Sequence, residues 1–191
     1  MIQTRRGRST RLFVPAIGLA LVLAACAPAD DAPRADCPVE APSPAPQRPY
    51  SQDPQLADRI PDEVDGRTLQ IETVCATVFD PGGLTTSQAM LDEVGVERRD
   101  VTLALSPVPT GGGESSYVGI NAWRYAGADE ATIREGFLGL LDESGIPVDE
   151  ETIAGKTVHM AVFHVYYVAD DTLYAVLGED GPVEAALEGL P

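Results

Sequence analysis

Residues 151–178 carry three alternating apolar–polar segments in immediate succession, at about 151–158, 160–169 and 172–178, the last two separated only by the polar pair Asp170-Asp171. Alternation with period two marks a strand with one buried face. A two-residue turn permits only antiparallel pairing, because parallel neighbours need a crossover of a dozen or more residues. Upstream, Val101, Leu103 and Leu105 alternate with Thr102 and Ala104 until Pro107 and Pro109 break the strand. After a loop over 106–116 that holds Gly111-Gly112-Gly113, Val118, Ile120 and Ala122 alternate against Tyr117, Asn121, Trp123 and Tyr125, the second strand of a hairpin. Residues 67–79, with Leu69, Ile71, Cys75 and Phe79 in one phase, predict a further long strand after the turn Asp65-Gly66, and Asp80-Pro81-Gly82-Gly83 ends it.

Helices are expected between these strands. Asp53 followed by Pro54 opens a short helix that Pro61 stops, and Thr85 three residues before Gln88 suggests a capping box for a helix closing at Gly95. Asp129 can cap a helix with Ile133, Phe137, Leu140 and Leu141 at helical spacing up to Gly145, and Gly181-Pro182 starts a closing helix. The order α-β-α-β-β-α-β-β-β-α, dominated by hairpins, predicts an α+β fold: a mainly antiparallel sheet with helices packed on one face. Gly66-Arg67-Thr68-Leu69 and Gly155-Lys156-Thr157-Val158 echo one another. The echo reads either as a duplicated half-domain or as two similar turn-to-strand starts.

The first 25 residues stand apart from this domain. Arg5, Arg6, Arg8 and Arg11, with no acid among them, precede an apolar run from Leu12 to Leu23 that is too short to span a bilayer, and Leu23-Ala24-Ala25-Cys26 follows. That succession marks an export signal that is removed. The last four residues resemble the lipobox of bacterial lipoproteins. The resemblance implies cleavage before Cys26, thioether lipidation of Cys26, and a protein held through its lipid on the extracytoplasmic face of the bacterial cell envelope. Ala24-Ala25 would also suit ordinary signal-peptidase cleavage, giving a soluble secreted product. The resemblance is silent about the domain.

From Cys26 to Pro54 the chain is rich in Pro, Ala and Asp, with Pro42, Pro44, Pro46 and Pro49 closely spaced. Such a segment favours extended conformations and acts as a tether of up to ~3 Å per residue. Residues 55–191 are left for one domain, since the roughly 166 residues beyond the cleavage point suit a single core plus a spacer.

Cleavage removes four arginines and no acid, leaving nine Lys plus Arg against 30 Asp plus Glu, a formal charge of −21. Nucleic acid and anionic membrane surfaces both select basic protein surface, so both are disfavoured as partners of the domain. One lysine, Lys156, beside twelve arginines suggests a GC-rich bacterial genome. Cys37 and Cys75 are the remaining cysteines, and an exported chain meets an oxidising compartment, so a disulfide between them is expected. It would close a loop of 38 residues, worth about 4 kcal/mol in the chain-entropy model.

No catalytic pattern emerges. Gly155-Lys156-Thr157 opens a strand rather than a helix, and Glu150 stands where a phosphate loop needs its first glycine. His159 and His164, five residues apart on an extended chain, are expected on opposite faces and so not to share a metal. Gly-x-Ser-x-Gly, Ser-x-x-Lys and His-Glu-x-x-His are all absent, and Ser115-Ser116 have no identified base. Neither cofactor nor metal is called for. The aromatic set Tyr117, Trp123 and Tyr125, with Tyr166, Tyr167 and Tyr174, either underlies the helices, the commoner use of such a face, or lines a binding surface. The resulting expectation is a non-catalytic binding or accessory domain for an envelope protein or small ligand. The alternative is an envelope hydrolase, which a cleft joining His159 or His164 to a carboxylate would favour.

Overall fold

The computed structural model describes residues 37–38, 51–106, 118–178 and 180–191; the leader, Cys26, most of the tether and Tyr117 lie outside them. Its centre is a seven-stranded sheet of β3 (Glu72–Cys75), β4 (Val101–Leu105), β5 (Val118–Tyr125), β6 (Asp149–Ile153), β7 (Lys156–Ala161), β8 (His164–Ala169) and β9 (Thr172–Gly178). The spatial order is β3-β4-β5-β9-β8-β7-β6, every neighbour antiparallel. A separate two-residue ladder pairs β1 (Glu63–Val64) with β2 (Arg67–Thr68). The α+β class and the antiparallel sheet are as the sequence predicts.

The helices, however, cover both faces of the sheet. On one side lie α1 (Pro54–Ala57) and α4 (Asp180–Gly189), whose Leu56, Val183, Ala186 and Leu187 pack with Ala104, Ile120, Ala122, Tyr174 and Val176. On the other lie α2 (Gln88–Val94) and α3 (Glu130–Glu143), whose Met90, Leu91, Ile133, Phe137 and Leu141 pack with Val101, Leu103, Trp123, Leu173 and Ala175. Both phases of β5 and β9 are therefore mainly apolar and mostly buried, with Arg124 and Thr172 as buried polar members, as in strands sandwiched between two layers.

Caps set the helix starts. Asp53 Oδ1 accepts from the Leu56 amide at 3.0 Å, and Asp129 Oδ1 from the Thr132 amide at 3.0 Å. The cap of α2 is Ser87, whose Oγ accepts from the Met90 amide at 3.2 Å, in place of the expected Thr85 box; Gly95, with φ +76°, closes that helix as expected.

Three expected strands come out shorter: those over 151–158 and 160–169 are each divided by a turn, the latter at Val162-Phe163, and that over 67–79 contributes only β3 to the central sheet. Across the expected turn Asp65-Gly66, both at positive φ, residues 67–68 pair with 63–64. After Cys75 the chain turns, the Val78 and Phe79 amides donating to the Cys75 carbonyl, so only Glu72–Cys75 of the strand predicted over 67–79 joins the central sheet. Ala154 and Gly155, also both at positive φ, split the segment predicted over 151–158 into the hairpin β6–β7. This shared turn accounts for the echo between Gly66-Arg67-Thr68 and Gly155-Lys156-Thr157 as two similar turn-to-strand starts.

Candidate functional site

Of the aromatic residues proposed as a surface, Trp123 and Tyr125 belong to the core. Trp123 is 8% exposed and Tyr125 is fully buried, both beneath α2 and α3. The Tyr125 hydroxyl donates to the Thr85 carbonyl at 2.7 Å, and burial pushes its pKa far up. The bulk of these rings, on a β5 face that a helical layer covers, supplies packing rather than recognition. Tyr117 lies outside the described residues. Cys37 and Cys75 are joined in a disulfide, Cα–Cα 5.6 Å, which fastens the chain before the domain to the end of β3.

Exposure is concentrated at the opposite end of the sheet. Among the described residues the large apolar side chains left in solvent are Met160, Val162 and Phe163, at 37%, 69% and 85% exposed. Val162 and Phe163 form the two-residue turn between β7 and β8, closed by the pair Ala161 and His164. Val162 adopts φ +59°. A β-branched side chain in that region costs on the order of 1–2 kcal/mol. The neighbouring turn at the same stage of the meander, Asp170-Asp171, also places its first residue at positive φ (+51°), but with a residue that tolerates it. Strain and exposed apolar surface thus coincide at one turn and are absent from the other.

This tip overhangs an open groove of about 930 Å³ bordered by Asp149, Glu151, Met160, Phe163, Val183 and Glu184. The opposite face of the same sheet edge has a smaller pocket of about 340 Å³ with Leu138, Ile146 and Val148 as apolar wall and Asp142, Glu150 and His159 as polar groups. Among the described residues neither cavity is lined by a lysine or an arginine. Between them runs β6, the last strand of the sheet, with Asp149, Glu150 and Glu151 exposed.

The two histidines share a face, contrary to the expectation from their spacing. The Val162-Phe163 turn reverses the chain between them, so His159 stands opposite Tyr166 and His164 opposite Ala161 on the side of α3. His164 stacks on Tyr166 at 5.6 Å between centroids, and Tyr166 packs against Phe137 at 4.7 Å. His159 is buried directly across from Glu150, and its Nε2 has no hydrogen-bond partner among the described residues. Burial lowers its pKa, Glu150 acts against that, and Arg134 adds to it; burial alone lowers that of His164. Among the described residues no group of three or more His, Cys, Asp or Glu is placed to hold a metal ion.

A second polar cluster is internal. Arg124, 2% exposed, donates from Nε to Asp171 at 2.9 Å and from Nη1 to Asp53 at 3.4 Å, and Arg59 donates to Asp171 at 2.6 Å. Asp53 also accepts from the Thr102 hydroxyl at 2.6 Å. Burial alone would raise the Asp171 carboxyl, but hydrogen bonds and charge from Arg124 and Arg59 outweigh it and hold the pKa below the usual range. The cluster ties α1 to β4, β5 and the β8–β9 turn. Its one sequence signal is an arginine in the inward phase of β5, the phase of Ile120 and Ala122. The β7–β8 tip had no such signal, because Met160 to Val168 contains no turn-forming residue.

No protein-family model, curated protein or solved structure matches the chain.

Proposed function

We propose that this chain is a lipid-anchored protein of the bacterial envelope whose α+β domain, carried on a proline-rich tether, acts by binding another protein rather than by catalysis. The observation that carries the binding part is the β7–β8 tip, where Val162 and Phe163 are held in solvent at the expense of backbone strain. Strain of this kind persists where the exposed geometry is used, and large apolar groups at a rim of carboxylates suit a protein contact. Lipidation at Cys26 rests on the residues Leu23 to Cys26 and the leader before them.

The alternative, hydrolysis, gains two observations: His159 and Glu150 share the smaller pocket, and His164 lines the groove with Asp149, Glu151 and Glu184. Among the described residues no hydroxyl, thiol or amine nucleophile lines the smaller pocket and Thr152 is the one hydroxyl at the groove, so binding is the better-supported reading. Crosslinking in native membranes tests it. A partner recovered with the wild-type protein should be lost with Phe163→Ser at unchanged melting temperature. Equal recovery with Phe163→Ser, or ester or peptide turnover abolished by His159→Gln, would overturn the binding reading.

A further inference from the structure

We infer that the free edge of β6 accepts an extended, basic segment of another protein as an eighth strand of the sheet. The inference rests on the binding reading above and names the partner's chemistry.

An edge strand presents a row of unpaired backbone N–H and C=O groups, and strand addition uses them for affinity while pockets for alternate side chains give specificity. The β6 edge has both. No strand or bridge covers its outer side among the described residues. Successive side chains of an added strand would turn alternately to the two faces of the sheet, one set towards the groove of Asp149, Glu151 and Met160, the other towards the pocket of Glu150 and His159. The unpartnered, buried Nε2 of His159 in that pocket is a polar group left for an incoming donor or acceptor.

Charge selects the occupant. Asp149, Glu151 and Glu184 rim one cavity and Asp142 and Glu150 the other, with no cation lining either among the described residues. A second copy of this chain pairing edge to edge would bring like carboxylates together, and charged edges are a known guard against such pairing. An anionic bilayer is repelled by the same groups. A segment with Lys or Arg at alternate positions and apolar residues between them turns its cations to Asp149, Glu151 and Glu184 on one face and its apolar residues to the wall of Ile146 and Val148 on the other.

The test uses the mature protein in detergent micelles and three blocked, fluorescent nine-residue peptides. One alternates Lys with Val, one replaces each Lys by Glu, and one is the Lys peptide N-methylated at alternate peptide bonds on the edge that would face β6. We expect the Lys peptide to bind at least tenfold tighter than either other peptide, to slow amide exchange at 149–153 at least tenfold, and to weaken at least tenfold with Glu151→Lys. Equal binding of the N-methylated peptide would mean charge attraction without strand addition and overturns the inference. So does equal binding of the Glu peptide, or no binding by any peptide. If the peptides fail while Phe163-dependent capture of a partner persists, the binding reading stands and only the edge assignment falls; if both fail, the binding reading falls with it.

Discussion

The two edges of the sheet are treated in opposite ways by the same chain. At the β3 edge the incoming polypeptide lies alongside the strand: Ser51 bridges Thr73, the Gln52 amide donates to the Thr73 carbonyl at 3.0 Å, the Gln52 side chain accepts from the Cys75 amide at 2.7 Å, and the disulfide to Cys37 fixes the arrangement. At the β6 edge no described residue plays that part, and three successive carboxylates stand in solvent beside a strained apolar tip. Sealing one edge removes a template for unwanted pairing; leaving the other open but charged restricts what can pair there. One edge is fixed by a disulfide and hydrogen bonds, and the other carries exposed carboxylates with no described chain beside it.

That contrast predicts where substitutions cost stability. The largest loss should come from Arg124→Ala, which leaves Asp53 and Asp171 without their shared counter-charge. We expect about 3–5 kcal/mol, or roughly 10 °C in melting temperature. Acid should probe the same cluster. Asp171 has a lowered pKa in the fold, so its contribution is complete above the unfolded value of about 4 and is lost as pH falls through the folded value. Denaturant midpoints measured from about pH 6 to 2 should therefore fall less steeply for Asp171→Asn than for the wild type. An Arg124→Ala protein as stable as the wild type would show that the closed edge does not depend on this cluster.

Next in size is the disulfide. The double variant Cys37→Ser, Cys75→Ser should lose about 2–4 kcal/mol, while amide exchange accelerates at β3 and 51–53 and stays unchanged at β6. Uniform acceleration along the sheet would erase the distinction between the edges. The smallest effect has the opposite sign: Val162→Gly relieves the positive φ and should stabilise by about 1 kcal/mol, while capture of a partner through the tip weakens. A destabilised Val162→Gly protein would mean that the tip is not under strain.

Much of the fold was legible in the sequence because local chemistry decided it. Strands β4, β5 and β9, the cap at Asp129 and the stop at Gly95 follow from alternation, side-chain acceptors and a left-handed glycine. The disulfide was expected from an export-like leader in the sequence and from the count of cysteines. What escaped was set by tertiary context. Alternation in β5 could not say which phase was buried, because helices on both faces bury both, and so a surface role for Trp123 and Tyr125 stayed open beside the commoner core one. The Val162-Phe163 turn lies inside an apolar run with no glycine, proline or asparagine to announce it. Missing that reversal also placed His159 and His164 on opposite faces. A turn made by residues that disfavour turning is invisible to propensity.

The strand order also bears on how the chain reaches its fold. Strands β6 to β9 follow one another in sequence and in space, so three two-residue turns assemble them by local closure, a low-contact-order unit. The ladder between β5 and β9 instead joins residues as distant as Val118 and Gly178, across α3 and the whole meander. Its loop-closure entropy must be met before the two apolar layers can form on the central strands. The rate-limiting event in refolding is therefore expected at that central seam, with φ-values high in β9 and low at both edges.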